Sequence, residues 1–429
     1  MKKMRFASIA SICMLPMLFW SNEGSAVPSW ARKYEASCYM CHSGMPQRNA
    51  VGEAFKNNGY RLPGGGDEAF TKQKNIQIGT DEWKKQGLFT PVSASFPQFD
   101  PLSVVLTGNI ISYKTNTTKN GVEVKKEELN YNAPSTAALF YGATIGEHLS
   151  VFGEIGSFGT SAAASNNVRA VYTFSPGINL ALGNNFSNVS WNGVSVGGVV
   201  NVSGVLPAPG TYAELNFTRG ETGGYSIVAG TSMGAKAAAI VPTENKIDDI
   251  LYLRGKVKLF GAGLLSGTGG EFGNSYNGLD NQVTLGAGLS YAKNATNTAT
   301  VPVGFTGGYA GETLVYGADI QGVYKDFQVG VAASRDRDLK LNNFKAEAGY
   351  FVYPWLFAKV AYSDLANSAN QVAGKFSDIH QPSVAPAIAA WIAPNVSLTG
   401  TYTFFTKDKV ANTNTTNQNT FALAVRAGF

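Results

Sequence analysis

The run Leu251-Tyr252-Leu253-Arg254-Gly255-Lys256-Val257-Lys258-Leu259 decides the fold, because its residues change character at every second position. The odd-numbered positions are apolar or glycine, whereas the even-numbered positions are mostly cationic. Side chains of a β-strand point alternately to its two faces, so the run predicts a strand between an apolar and a hydrated environment. Segments of about ten residues with this alternation are typical of transmembrane β-barrels.

The same alternation recurs towards the carboxyl end of the chain. Phe344, Ala346, Ala348 and Tyr350 alternate with charged residues or glycine, and the last nine residues, 421–429, alternate up to a final Phe429. A terminal Phe of this kind resembles the sorting signal of bacterial outer-membrane barrels. A soluble β-sandwich also alternates, so the periodicity alone leaves that fold open.

The spacing of turns adds to the barrel prediction. Longer polar stretches at 365–382 and 408–417 contrast with short turns at Ser175-Pro176-Gly177, Lys325-Asp326, Tyr353-Pro354 and Ala393-Pro394-Asn395. Short turns at one end and long loops at the other are typical of outer-membrane barrels, which have even numbers of strands. We therefore predict a mainly β chain whose residues 92–429 form a porin-like transmembrane antiparallel β-barrel of about 16 strands, with an aqueous lumen.

The composition agrees with a large all-β protein and excludes several other classes. The 429 residues are 44% hydrophobic and 15% charged, which excludes a disordered chain, and three cysteines cannot staple a chain of this length. The formal net charge of +5 is too small to indicate a nucleic-acid partner. No phosphate loop, Ser/His/Asp set or paired-carboxylate motif stands out, so hydrolytic catalysis is not expected.

The first 26 residues have the organisation of a secretory signal peptide. Lys2, Lys3 and Arg5 precede a mostly apolar run, and Gly24-Ser25-Ala26 supplies the small residues that a signal peptidase reads. The apolar run is too short to span a membrane. We expect cleavage after Ala26, export, and residence in the cell outer membrane in contact with its lipid.

Beyond this segment, the cysteines lie in Cys38-Tyr39-Met40-Cys41-His42, the C-x-x-C-H signature of c-type haem attachment. The spacing places both sulfurs within reach of the two vinyl groups of one porphyrin, and the adjacent His42 then ligates the iron. The competing interpretations are a disulfide, a zinc half-site and a thioredoxin-like redox pair. A zinc site would need further ligands, and a thioredoxin-like site would need a βαβ frame around the motif. The motif predicts one covalent haem c, bound by Cys38, Cys41 and His42, with His42 as the metal ligand.

The sixth ligand of the iron is open at this stage. A downstream methionine is the usual high-potential choice. Met40 and Met45 lie too close to the motif to reach the opposite ring face. The candidates are Met233, His148, His380, a lysine such as Lys56, or a water-bound or open position.

Residues 27–91 are expected to form a small α-helical cytochrome domain around this motif. One helix is predicted from Pro46 to Tyr60, with apolar residues on one face and Gly59 where a C-terminal stop belongs. A segment of about 65 residues has a small core, which a covalent haem would enlarge.

The barrel alternation also predicts which charged residues face the lumen. The cations are Arg169, Arg254, Lys256, Lys258, Lys345, Lys359 and Arg426, and the opposing acids include Glu154, Asp319 and Glu347. A hydrated pore wall explains this set. A second hypothesis is that some of these cations neutralise the propionates of a haem seated in the lumen.

A signal peptide, one C-x-x-C-H motif and a porin-sized barrel in one chain resemble the fused monohaem cytochrome–porin outer-membrane proteins of iron-oxidising bacteria. The resemblance is carried by Val27-Pro28-Ser29-Trp30-Ala31-Arg32, by the run from Cys38 to His42, and by Gly52-Glu53-Ala54-Phe55-Lys56-Asn57-Asn58-Gly59-Tyr60. It implies an oxidoreductase of the iron-oxidase type, which oxidises extracellular Fe(II) and passes the electron to a periplasmic c-type cytochrome. Outward electron transfer, a haem-plugged or redox-gated diffusion porin, and a secreted sandwich with a haem sensor domain are the rivals.

Overall fold

The computed structural model describes a β-barrel together with an N-terminal segment. The described residues are 28–44, 47–64, 76–77, 95–96, 101–115, 117–119, 122–124, 128–159, 167–184, 188, 211–233, 249–270, 272–274, 277–292, 312–337, 341–364, 371–372, 375–376, 382–393, 395–405 and 419–428. The signal peptide predicted at residues 1–26 lies outside them.

Sixteen antiparallel strands close into the barrel, and the last strand pairs with the first. The strands are β1 (Leu102–Thr115), β2 (Glu128–Ile145), β3 (Leu149–Gly159), β4 (Asn167–Ser175), β5 (Ile178–Asn184), β6 (Thr211–Arg219), β7 (Thr222–Met233), β8 (Asp249–Ala262), β9 (Gln282–Ala292), β10 (Thr313–Tyr324), β11 (Phe327–Asp336), β12 (Leu341–Tyr353), β13 (Leu356–Asp364), β14 (Ser383–Ala393), β15 (Val396–Phe405) and β16 (Asn419–Gly428). The prediction of a mainly β chain with an antiparallel barrel of about sixteen strands is confirmed.

The outer face of the strands is mostly apolar, whereas the inner face carries charged side chains together with buried apolar clusters. On β8, Leu251, Leu253 and Leu259 are exposed, whereas Arg254 and Lys258 are buried. A soluble sandwich would bury the apolar face instead, so the burial pattern excludes that alternative and matches a barrel with an apolar outer surface.

The two ends of the barrel differ in their connections. Turns of two or three residues follow β2, β4, β6, β10, β12 and β14. All six turns lie at one end of the barrel, which we call the short-turn end. The connection from β8 to β9 is the long exception there, and most connections at the opposite, long-loop end are longer. The predicted asymmetry between the ends is confirmed.

The N-terminal segment contains α1 (Pro28–Tyr34), a 3₁₀ turn (Cys38–Met40), a hairpin of His42–Gly44 with Gln47–Arg48, and α2 (Ala50–Asn57). This is less helix than a helical cytochrome domain implies, and α2 is shorter than the predicted helix from Pro46 to Tyr60. It begins at Ala50 because the Asn49 side chain caps the Gly52 amide at 3.0 Å. It ends before Gly59, whose φ of +68° lies in the left-handed region, as predicted for the stop.

Further short strand pairings lie outside the barrel ladder. They are Ile76–Gln77 with Ser95–Phe96, Thr117–Lys119 with Val122–Val124, Phe272–Asn274 with Leu279–Asp280, and Gln371–Val372 with Lys375–Phe376.

Candidate functional site

The described residues between 28 and 64, which we call the lumenal segment, lie inside the barrel. Contacts reach strands on every side of the wall: Arg32 to the Leu102 carbonyl on β1, Lys33 to Thr144 on β2, Tyr60 to Phe152 on β3, Asn57 to Asn179 on β5, Glu53 to Lys256 on β8, Gln47 to Gln328 on β11 and Gly44 to Trp391 on β14. The wall side chains in these contacts are buried or half-buried on the inner face, and Lys256 lies in the middle of β8, so the segment occupies the lumen and does not merely cap its rim.

The lumenal segment is held at the short-turn end. Asn57 and Asn58 donate from their side-chain amides to the carbonyls of Leu264 and Leu265, in the connection from β8 to β9, at 2.8 and 2.9 Å. Arg61 donates to the Gly146 carbonyl in the β2–β3 turn at 2.9 Å. Because such bonds are directed at backbone groups of the turns, they set the depth of the segment in the lumen.

The C-x-x-C-H motif forms a single tight turn. The 3₁₀ turn spans Cys38–Met40, and the amide of Cys41 donates to the carbonyl of Cys38 at 3.2 Å. Residues three apart eclipse one another in 3₁₀ geometry, so both sulfurs lie on one side of the turn. Both cysteines are thiols and no disulfide joins them.

The Cys41 thiol does not have the electrostatic character of a redox-active nucleophile. Burial, with a smaller contribution from the charge of Cys38, raises the pKa of the Cys41 thiol to about 12. A thioredoxin-like nucleophile needs a lowered pKa, so the burial of Cys41 disfavours that alternative. Among the described residues, no group of three or more His, Cys, Asp or Glu side chains assembles a metal site, so the zinc interpretation lacks its further ligands there.

His42 has the orientation that a metal-binding imidazole needs. Its Nδ1 lies 3.2 Å from the carbonyl oxygen of Gln47, across the short hairpin. When Nδ1 carries the proton it donates to this carbonyl, which leaves Nε2 as the basic nitrogen.

Cys38 is buried against the barrel wall in an apolar cluster. Its side chain is 3% exposed, and its partners in the cluster are Leu279, Val323, Phe351, Phe357, Ala389 and Trp391. These wall residues lie near the short-turn end. Two thiols on one side of a turn, an oriented His42 and an apolar wall together fit the attachment of a c-type haem.

The other predicted iron ligands are not brought together with His42 by the described contacts. His148 lies in the β2–β3 turn, where its ring packs on the outward-facing Tyr172 and its Nδ1 is 2.8 Å from the Thr173 carbonyl. Met233 ends β7 at the long-loop end, opposite the motif. His380 lies outside the described residues. Lys56 is on α2, one turn beyond Gly52, whose missing side chain makes room for the Cys41 carbonyl.

The predicted inward charges do face the lumen, and five of the seven predicted cations form ion pairs with carboxylates, which a plain hydrated wall would not require. The ion pairs are Arg169–Glu214 at 2.7 Å, Arg254–Asp319 at 2.6 Å, Lys256–Glu53 at 2.5 Å, Lys258–Asp280 at 2.7 Å and Lys359–Glu347 at 3.2 Å. Lys345 and Arg426 are half-buried on the same inward face, and Glu154 accepts from Asn167 at 3.2 Å.

Sequence reasoning missed three of the carboxylates in these pairs. Glu214 alternates with Leu215 on β6, so its inward direction was readable from the sequence. Asp280 lies in the long connection from β8 to β9, and Glu53 lies in the lumenal segment. Neither Asp280 nor Glu53 lies on a strand of the barrel, so the alternation of the strands could not predict their inward position.

The chain has been compared with known proteins. No family model and no curated protein matches it. Solved structures with a similar barrel include OmpF of Salmonella typhi in complex with daunomycin (TM-score 0.47, 10% identity, 76% of this chain and 97% of that one), the outer membrane channel DcaP of Acinetobacter baumannii (0.44, 11%, 76% and 96%) and the outer-membrane OmpT of Vibrio cholerae (0.41, 13%, 76% and 97%). The barrel assignment rests on the strand pairing of the chain itself. Among the described residues, no helix is long and apolar enough to cross a membrane.

Proposed function

We propose that the chain is an outer-membrane electron conduit, in which one covalent haem c is attached at Cys38 and Cys41 and ligated by His42. The observation that carries this proposal is the position of the C-x-x-C-H turn inside a barrel with an apolar exterior. Electrons do not cross the apolar band of a membrane, about 25 Å thick, without a carrier, and a redox centre in the lumen supplies one.

The side-chain pattern supports the outer-membrane location. Apolar residues such as Leu215, Leu253 and Ile320 are exposed on the outside of the wall, whereas ion pairs fill its inside. A surface of this kind is stable in contact with lipid and unstable in water.

The short-turn end supports a partner on the periplasmic side. Outer-membrane barrels have short periplasmic turns, and the lumenal segment contacts the wall at this end. The electron would therefore leave towards a periplasmic c-type cytochrome, and the outer half of the conduit would receive it from extracellular Fe(II), the donor that the family resemblance implies.

The residues of the chain have separable tasks in this scheme. A bound haem supplies one-electron chemistry, which matches the Fe(II)/Fe(III) couple. His42 would present Nε2 to the iron, because the carbonyl of Gln47 engages its Nδ1. The apolar cluster around Cys38 excludes water from the attachment side, and Glu53 and Arg61 fix the lumenal segment to the wall.

The test is anaerobic mixing of membrane-embedded, haem-loaded protein with Fe(II) while the haem absorption bands are recorded. We expect the reduced bands to appear, and to disappear after addition of an oxidised periplasmic c-type cytochrome. Absence of reduction by Fe(II), together with a haem potential well below that of the iron couple, would instead favour outward electron transfer through the same conduit.

A diffusion porin is the second candidate, and the porin-like barrel itself favours it. Against it stands the lumenal segment, which contacts strands around the described part of the wall at the short-turn end. Conductance in planar bilayers separates the two: an electron conduit should pass little ion current, whereas a large, stable current in haem-loaded protein would establish the porin.

A further inference from the structure

The short hairpin of His42–Gly44 with Gln47–Arg48, which we call the His42 hairpin, carries the histidine assigned above to the iron. Its pairs are His42 with Arg48 and Gly44 with Gln47, and the register shifts between them. A two-stranded hairpin is only marginally stable by itself, and a register shift redirects the side chains beside it. The direction of the His42 ring therefore depends on what holds the hairpin from outside.

The indole of Trp391, on β14, packs against the backbone of Gly44. A Cβ added at Gly44 would lie 2.5 Å from the Cζ2 atom of Trp391 and 2.8 Å from two further atoms of the indole, so the ring occupies the place of the missing side chain. Both residues are buried. The absence of a Cβ is what lets the backbone approach the ring so closely.

The indole has little freedom to move, because it also packs on buried aromatic rings. Trp391 stacks on Phe351 of β12, with ring centroids 6.0 Å apart and planes 26° apart, and Phe351 packs on Phe357 of β13 at 4.7 Å. All three residues are buried and belong to the apolar cluster around Cys38. Close-packed interiors transmit strain, so the indole is a fixed surface on which the hairpin rests.

The contact reaches the His42 ring through Gln47. Gly44 pairs with Gln47 across the hairpin, and the Gln47 carbonyl oxygen lies 3.2 Å from Nδ1 of His42. The side-chain amide of Gln47 donates to Oε1 of Gln328 on β11 at 2.9 Å. The wall thus contacts both strands of the hairpin, through Trp391 on one and Gln328 on the other.

We propose that Trp391 is a positioning residue for His42. Its indole holds Gly44, and with it the carbonyl of Gln47, so that Nδ1 keeps its proton and Nε2 is the basic nitrogen. This inference rests on the function proposed above, in which Nε2 ligates the haem iron. The tautomer of the ring is nevertheless measurable without haem.

The first experiment uses full-length protein produced without haem maturation and isotopically labelled at the histidine nitrogens. Nitrogen NMR, at a pH where imidazoles are neutral, distinguishes protonated from unprotonated ring nitrogens, and His42→Gln assigns the His42 signals. We expect the Nδ1–H form in the wild type. In Trp391→Leu the ratio of the Nδ1–H to the Nε2–H form should fall by at least about fivefold, because the hydrogen bond to the carbonyl is weakened. Trp391→Phe, which keeps a ring beside Gly44, should retain most of the wild-type ratio.

Two controls show whether the effect is specific. Trp355→Leu removes a tryptophan that is 49% exposed in the turn from β12 to β13, so the His42 tautomer should not change. His148 is an internal reference in the same spectra, because its Nδ1 also lies close to a carbonyl, that of Thr173, at 2.8 Å. Its signals should be the same in every variant.

Gly44→Ala alters the same contact from the side of the hairpin, which lies outside the barrel ladder. It should shift the His42 tautomer in the same direction as Trp391→Leu, and it decides the test if Trp391→Leu also disturbs His148. The proposal is overturned if the His42 ratio is unchanged in both variants while His148 is intact, or if Trp355→Leu lowers the ratio equally.

Haem-loaded protein separates this inference from the function on which it rests. Trp391→Leu should shift the haem midpoint potential and spectrum, and added imidazole should restore the spectrum, whereas Trp355→Leu should leave both unchanged. An unchanged spectrum and potential in Trp391→Leu would show that His42 ligates without the indole and would overturn the positioning role. If the wild type attaches no haem, the proposed function fails, but the tautomer measurement still decides whether Trp391 orients His42.

Discussion

Lys256 on the barrel wall and Glu53 on α2 lie 2.5 Å apart, Nζ to Oε1, and join the wall to the segment that fills the lumen. Arg48 binds the Oε2 atom of the same carboxylate at 3.1 Å. Glu53 thus lies between one cation of the wall and one of the lumenal segment, and both partners depend on its charge. The docking of α2 in the barrel is therefore an electrostatic contact as well as an apolar one.

Glu53→Gln should loosen α2 without opening the barrel. Removing one partner of a buried ion pair leaves buried charge without compensation, a loss of about 3 kcal/mol at the low end of the usual range. Amide hydrogen exchange in α2 should accelerate by about 100-fold, since each 1.4 kcal/mol is tenfold. Glu347→Gln is the control, because Glu347 pairs with Lys359 within the wall and is similarly buried. If amide hydrogen exchange in α2 is equally fast in the two variants, Glu53 does not anchor α2 to the wall.

The same contact should weaken in acid. Burial opposes ionisation of Glu53, but the charges of Lys256, Arg48 and Lys56 outweigh it and hold the pKa of this carboxyl well below its ordinary value of 4.5. A lowered pKa in the folded state gives stability that is complete above 4.5 and is lost as the pH falls through the folded-state value. Protection factors of α2 should fall in that range for the wild type and stay flat for Glu53→Gln. A parallel decline in both would assign the acid sensitivity to other groups.

Gly52→Ala should displace the C-x-x-C-H turn. A Cβ at Gly52 would overlap the backbone carbonyl of Cys41, and a backbone atom cannot rotate away. Although alanine favours a helix over glycine, we expect lower protection of α2 and a reduced yield of covalent haem in a peroxidase-stained gel. Gly255→Ala is the control, because a Cβ there meets nothing within 4 Å. Normal haem yield and normal protection in Gly52→Ala would contradict the packing.

Cys38→Ala with Cys41→Ala should abolish covalent haem while the barrel still folds, because the strand ladder closes through its own backbone pairs. The expected result is loss of the haem bands with retention of the heat-modifiable band of a folded barrel. Ser43→Ala is the control: its buried hydroxyl has no hydrogen-bond partner among the described residues, so removing it should leave both readouts intact. Haem bands that persist in the double variant would refute attachment at this motif.

Much of the architecture was predictable, and the outcome at particular residues shows why. The inward direction of the Arg254 and Lys258 side chains follows from the two-residue alternation of side chains, which is a local property of one strand. The helix from Pro46 was predicted too long, since the apolar spacing did not reveal the Asn49 cap at Gly52. His148 was a plausible iron ligand by residue type, yet it packs on the outer Tyr172, a contact that depends on where two strands meet.

By itself, the sequence determined the inside and outside of the wall, the number of strands to within a pair, and the C-x-x-C-H spacing on which the haem proposal rests, because each is encoded in residues close together along the chain. Only the tertiary structure decided that the lumenal segment lies within the barrel, that Glu53 meets Lys256, and that Glu214 neutralises Arg169. The physical reason is closure: once sixteen strands form a ring, residues distant in sequence share one confined interior, where the unfavourable burial of each charge selects its partner.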